Sequence, residues 1–320
     1  MRLLRNERNK GTQIWQIGNL SGGEGDVKLL FNRHHKTDLT ETVPARHIAR
    51  AERSGRDKFG FHDLLKERGQ ALVDAGLSHS FSILSLPMQE ALPPNLSHIH
   101  AAVIEAWPEH LAVLQKSIAA FPPEQLLQLD GIADQVLRLV GSDMDRYIEG
   151  YRWISRMQLE EELHFRRTGD YRNSTFEQAW EQVYSKPELM GLYMDGLLVS
   201  QVLWSNHAQT LLSFTEDFLP RLRPGARILE VGPGHGLGCA LAATHSGNFQ
   251  VEAWDLSDAS LRRTQQHLEQ LDLADRVTLH QRDATIRLEA GMERFDALVI
   301  SEVLEHVERP VELLASLAQH

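Results

Sequence analysis

ILEVGPGHGLG, residues 228 to 238, places Ile228, Leu229, Val231 and the carboxylate of Glu230 directly before glycines at 232, 234, 236 and 238. An apolar run that stops at clustered glycines reads as a strand followed by a tight turn. A backbone free of side chains can take positive φ and pass close to a ligand. The helix expected after it offers unpaired N–H groups to an anionic or polar group. The same rhythm continues outward. LGCALAATHS reads as a helix, FQVEAWDLS as a strand, ASLRRTQQHLEQL as an amphipathic helix, RVTLHQRD as a strand, FDALVISEVL as a strand with its turn, and PVELLASLAQ as a helix. Strands alternating with helices imply right-handed crossovers and a parallel, doubly wound sheet, so the expected fold is α/β and Rossmann-like.

Ligands of such sheets sit beyond the carboxyl ends of the strands. The dinucleotide fingerprint G-x-G-x-x-G fails here, because Leu237 occupies the last place from Gly232 and Cys239 the last place from Gly234. What fits is E-x-G-x-G-x-G, through Glu230, Gly232, Gly234 and Gly236. With this motif the chain resembles the class I S-adenosylmethionine-dependent methyltransferases. Its companions follow in order. Asp255 ends the second strand 19 residues after Gly236, Asp283 closes the third, and the fourth leads into SEVLEHVERP. The resemblance implies S-adenosyl-L-methionine as cofactor. It assigns the methionyl part to Glu230, Gly232, Pro233, Gly234 and Gly236. Asp255 with Leu256 takes the ribose diol, Asp283 with Ala284 the adenine, and Ser301 lies at the end of the fourth strand.

Glu302, Glu305 and His306 follow that strand, where the transferred methyl is expected. Carboxylates and an imidazole at this spacing suit a divalent metal. Metal-free relatives use the same run to shape the pocket. The second reading is adopted: no metal, with His306, Glu302 and Glu305 as catalytic candidates and His306 as general base. The paired histidines His34, His35 and His98, His100 lack a ligand pattern and read as surface or packed residues.

Before the sheet, residues 61–219 are mostly helical by spacing and are expected to form a substrate-recognition or lid domain. Pro108 starts a new helix or kinks one. Pro220, Pro224 and Gly225 mark a boundary, leaving residues 220–320 as the cofactor domain. Tyr193 and Trp204 are lid candidates, since a sulfonium is attracted by aromatic faces. Residues 1–60 read as an irregular basic segment with one strand-like piece, DVKLLFN. Residues 1–70 carry 14 Lys+Arg against 9 Asp+Glu, whereas the whole chain has a net charge of −11. That overall charge speaks against a nucleic-acid partner. Cys239 is the only cysteine, so no internal disulfide forms. No apolar run is long enough to span a bilayer and no leader is legible, so a cytoplasmic protein without a membrane partner is expected. Oligomerisation is left open.

A complete class I domain has seven strands, and the sequence stops after the helix that follows the fourth. The sheet is therefore expected to be truncated, with the outer edge of strand four exposed. A fragment of a longer product is the favoured explanation; another chain or the N-terminal region could also supply the cover. The expected reaction is methyl transfer to an oxygen, nitrogen or carbon of a small-molecule acceptor. The competing readings are a methyltransferase-like subunit that binds without catalysis and an NAD-dependent oxidoreductase.

Overall fold

The structure is a computed structural model. It describes three N-terminal strands, residues 92–169, 186–286, 295–304, 307 and 310–317. The four expected parallel strands form where the sequence places them. They are β4 (Arg227–Val231), β5 (Gln250–Asp255), β6 (Val277–Gln281) and β7 (Ala297–Ile300). Their order is β7-β4-β5-β6. The order reverses between β4 and β7, which opens a crevice at the carboxyl ends of these two strands.

Strand residues alternate between two cores with the period of two that a pleated sheet imposes. Ile228, Val251, Ala253, Ala297 and Val299 face one core. Leu229, Val231, Trp254, Leu298 and Ile300 face the other. The second face is covered by the helix Pro310–Leu317 through Leu313, Leu314 and Leu317.

The outer edge of β7 is not open, contrary to the expectation of an exposed edge. β1 (Trp15–Gly18) pairs with it antiparallel, Ile17 opposite Leu298. β2 (Asp26–Phe31) and β3 (Thr40–Pro44) extend the sheet to seven strands. The N-terminal segment, expected to be irregular apart from DVKLLFN, thus contributes three strands. A free strand edge presents unpaired N–H and C=O groups, and antiparallel pairing satisfies them.

Among the described residues six helices precede β4. α1 (Pro94–Ala106), α2 (Leu111–Ile118), α3 (Pro123–Val140) and α4 (Met144–Thr168) come first. Pro108 opens a short 3-10 turn, Pro108–His110, between α1 and α2, as its missing N–H favours. α5 (Pro187–Leu203) and α6 (Ser205–Leu212) follow, and α6 runs into a π-helical turn, Ser213–Phe218. The helical readings of residues 61–91 and of TFEQAWEQVYS lie outside the described residues.

α4 and α5 cross closely at a pair of glycines. A Cβ on Gly150 would meet Leu192 O at 2.6 Å and Gly196 N at 2.7 Å, so only glycine permits this approach. At the 219/220 boundary lies the 3-10 turn Leu219–Arg221, but the buried side chains do not divide there. Leu198, Leu212 and Phe214 from the helices share one cluster with Ile228, Leu237 and Ala240 from the sheet region.

Two helices complete the crossovers: α7 (Leu237–Thr244) after the glycine turn and α8 (Asp258–Gln270) after β5. The helix Pro310–Leu317 is α9. α8 ties the two parts of the chain together. Asp195 of α5, 2% exposed, receives Arg146 of α4 through Nε at 2.7 Å and Arg263 of α8 at 3.0 Å. Tyr147 Oη of α4 lies 3.4 Å from His267 Nε2 of α8.

Candidate active site

The glycine turn takes the backbone form that its residues permit. Gly232, Gly234 and Gly236 have φ of +72°, +57° and +78°. An L side chain at such angles costs about 1–2 kcal/mol. Two of these glycines also yield space: a Cβ on Gly232 would strike Val303 Cγ2, and one on Gly236 would lie 2.8 Å from Thr264 Cγ2. Gly234 differs, because a Cβ there would meet nothing within 4 Å. Its bare backbone faces the open cleft.

α8 holds the turn in place. Thr264 Oγ1 donates to Gly234 O at 3.1 Å. His267 Nδ1 lies 2.7 Å from His235 O, so that nitrogen carries the proton. Gly232 N donates to Trp254 O at 2.8 Å and extends the β4–β5 ladder into the turn.

Glu230 points beneath the turn. It is 7% exposed, and Cys239 Sγ donates to its Oε2 at 2.9 Å. Burial pushes the Glu230 carboxyl up to about 7, against the opposing effect of the thiol hydrogen bond. Burial, then the neighbouring Glu230, pushes the Cys239 thiol up. Gly238 completes this arrangement, because a Cβ there would lie 2.6 Å from Glu230 Oε1. The glycine series therefore runs on to the second residue of α7.

Asp255 ends β5 beside the turn. Its Oδ1 accepts from Ser257 N at 2.8 Å and its Oδ2 from Ser260 Oγ at 2.6 Å. Burial raises its carboxyl above the ordinary value, and these hydrogen bonds oppose the rise. Ser257 is the N-cap of α8 and accepts from Ser260 N. Asp255 therefore braces the start of α8 while it faces the cleft. Asp283 Oδ1 accepts from Thr285 N at 2.9 Å and Thr285 Oγ1 at 2.6 Å. The guanidinium of Arg282, the residue before Asp283, lies 4.5 Å over the Trp254 ring.

A single cleft of about 610 Å³ joins these parts. It lies at the crevice between β4 and β7, within the size range of small-molecule sites. Of the sequence-derived residues, Glu230, Gly232, Pro233, Gly234, Asp255 and Leu256 line it. So do Asp283, Ala284, Ser301, Glu302 and Tyr193. Gly236 is buried and packs against Thr264 instead of lining the cleft. Glu302 has φ of +53°, an uncommon conformation for a side-chain-bearing residue. Glu305 and His306 lie outside the described residues. Among the described residues no group of three or more His, Cys, Asp or Glu could hold a metal.

The upper wall comes from α5 and α6. Met190, Tyr193, Met194, Leu197 and Gln201 lie on one face of α5, at the spacing a helix repeats. His207, Thr210 and Leu211 of α6, with Phe214 beyond it, complete the wall. Of these, His207 and Gln201 carry chemistry that the motif reading did not assign; the i, i+4, i+7, i+11 spacing from Met190 to Gln201 was the available signal. Trp204 is placed elsewhere. α5 ends at Leu203 and Trp204 is extended, at φ −92° and ψ 125°. Its indole N–H donates to Tyr151 Oη at 3.1 Å, within the helical core.

The C-terminal part of the chain is similar to known proteins. Residues 203–320 match the family model of a methyltransferase domain. The ribosomal protein L11 methyltransferase of Desulfitobacterium hafniense is 31% identical over 126 residues, which is 39% of this chain and 39% of that protein. The chain thus spans about two fifths of the length of that relative. Two solved S-adenosylmethionine-dependent methyltransferases, from Geobacter sulfurreducens and Thiobacillus denitrificans, are 26% and 25% identical. Both were determined with S-adenosyl-L-homocysteine, each similarity covers 34% of this chain and 43% of the other, and the TM-scores are 0.28 and 0.27. Residues 203–320 are thus similar to a methyltransferase domain, and the parallel strands and the glycine turn lie within the matched residues.

Proposed function

We propose that this protein transfers the methyl group of S-adenosyl-L-methionine to a small-molecule acceptor. The observation that carries the reading is the shared cleft: the bare backbone of Gly234, the carboxylates of Asp255 and Asp283, and the end of β7 at Ser301 all open into it. These residues fit the cofactor. Gly234 leaves room for close approach of the methionyl part, and Asp255 and Asp283 offer carboxylate acceptors to a ribose diol and an adenine amine. When bound, the cofactor supplies a methyl group on a positively charged sulfur.

The chain's own contribution is placement. Orienting a nucleophile behind a methyl carbon removes entropy before the reaction begins, and this can supply several kcal/mol of the barrier. The turn is pre-set by its hydrogen bonds to α8, so it pays little reorganisation on binding. The upper wall lines one side of the crevice with mostly apolar side chains. Glu302, Glu305 and His306 follow β7 in the sequence and remain candidates for contacting the acceptor. A cytoplasmic location fits this reading. No helix among the described residues is long and apolar enough to cross a membrane.

Isothermal titration with S-adenosylhomocysteine and with NAD tests the proposal. S-adenosylhomocysteine should bind and NAD should not. Asp255→Ala should weaken S-adenosylhomocysteine at least 10-fold, the loss of about one charge-assisted pair. Equal affinity of parent and variant would remove the ribose assignment. Tight NAD binding would favour the oxidoreductase reading.

A further inference from the structure

The two walls of the cleft differ in chemistry. The sheet side carries Glu230, Asp255, Arg282, Asp283 and Glu302, with Glu312 from α9, whereas none of the described lining residues from α5, α6 and the turn after it bears a charge. This upper wall is apolar and adaptable through Met190, Met194 and Leu211, and flat through Tyr193 and Phe214. A charged acceptor would lose hydration against it with no counter-charge.

One polar group in that wall is held in a fixed state. His207 is 4% exposed and lines the cleft. Its Nδ1 lies 2.9 Å from Ser200 Oγ. The Ser200 hydroxyl has one proton, which it donates to Leu197 O at 2.7 Å. The hydroxyl must then accept from Nδ1–H, so Nε2 carries the lone pair. The Trp204 ring stands against the imidazole with centroids 4.9 Å apart and limits its rotation. Burial lowers the His207 pKa to about 4, so the ring is neutral at pH 7.

We propose that His207 Nε2 accepts the hydroxyl of the methyl acceptor, and that this acceptor is an uncharged, flat, apolar hydroxy compound of the phenol type. The inference rests on the methyl-transfer reading above. In the step, the acceptor oxygen forms its bond to the methyl carbon as the sulfur–methyl bond breaks. The pair from that bond stays on sulfur, and the sulfonium becomes a neutral thioether. The hydroxyl proton passes to Nε2 and leaves from there to solvent.

The test uses the protein saturated with S-adenosylhomocysteine, titrated with 2-naphthol and with naphthalene. Both should bind the parent. His207→Phe should weaken 2-naphthol at least 10-fold, change naphthalene less than 3-fold, and leave S-adenosylhomocysteine within 2-fold. Ser200→Ala, which releases the tautomer, should weaken 2-naphthol several-fold and spare naphthalene. With labelled cofactor, the parent should methylate at least one of 2-naphthol, catechol and 4-methylumbelliferone, and His207→Phe should lower kcat more than 100-fold. Equal loss of 2-naphthol and naphthalene would reduce His207 to packing. Loss of S-adenosylhomocysteine in step would make it a cofactor contact. No phenol binding, no phenol turnover, or transfer only to 2-naphthylamine would overturn the acceptor class. If the parent fails to bind S-adenosylhomocysteine, the methyl-transfer reading falls first and takes this inference with it, an outcome distinct from a phenol failure on the loaded protein.

Discussion

At the scale of single residues, the glycine series answers several demands at once. Gly234 is bare toward the cleft, Gly232 and Gly236 combine positive φ with close neighbours, and Gly238 admits the Glu230 carboxyl. Gly236→Ala should show the cost of the combination. The residue would sit at φ +78° with its Cβ 2.8 Å from Thr264 Cγ2 and 3.2 Å from Thr264 Cα. Left-handed backbone and overpacking together predict a destabilisation of about 2–4 kcal/mol. Thr264 also holds Gly234 O, so the disturbance should reach the turn. Urea unfolding and S-adenosylhomocysteine titration on the same variant check both effects. A variant as stable as the parent would mean that the turn relaxes freely.

At the scale of elements, the joint between the helices and the sheet region is electrostatic as well as apolar. Asp195 holds Arg146 of α4 and Arg263 of α8 from its buried place on α5. Removing one partner of a buried pair leaves charge without compensation, typically at 3–5 kcal/mol. Arg146 is 47% exposed and can turn to water, whereas Arg263 is 15% exposed and cannot do so easily. Asp195→Ala should therefore cost about 3 kcal/mol. Urea unfolding should show a lower midpoint in the variant, and S-adenosylhomocysteine should raise that midpoint because α5 forms one wall of the cleft. An unchanged urea midpoint would show that the joint is carried by apolar contact alone. The element pattern was readable in the sequence to a large extent. The four parallel strands and the three helices between and after them came from period and turn residues. Of the three N-terminal strands only β2 was legible, as DVKLLFN; the rest of residues 1–60 is rich in glycine and charge and shows no strand-like run.

At the scale of the whole molecule, buried histidines make stability depend on pH. His100, His207 and His267 are lowered to about 4 and His235 to about 3, in each case chiefly by burial. Between their folded values and the unfolded value near 6.5 the unfolded chain binds more protons, so stability falls as pH falls through this window. Glu230 works the other way. Its folded value of about 7 exceeds its unfolded one, so the folded chain binds one more proton between 4.5 and 7. The net excess in the unfolded chain is roughly three protons near pH 5.5, a slope on the order of 4 kcal/mol per pH unit. Circular dichroism should show a steep cooperative loss of helix between pH 6 and 4.5 and a nearly flat signal above 7. A protein that keeps its helix content at pH 4 would contradict the burial of these rings.

The sequence by itself determined the α/β architecture, because strand and helix periods and glycine turns are local properties that each segment carries with it. It also marked Asp255 and Asp283 at strand tips, since a position at the end of a parallel strand follows from the alternation alone. Tertiary structure decided what meets across the cleft. That His207 joins the wall while Trp204 turns into the helical core depends on where α5 ends and how α6 is angled over the sheet. That Asp195 finds Arg263, and β7 finds β1, depends on contacts between residues far apart in the chain, which no local period encodes.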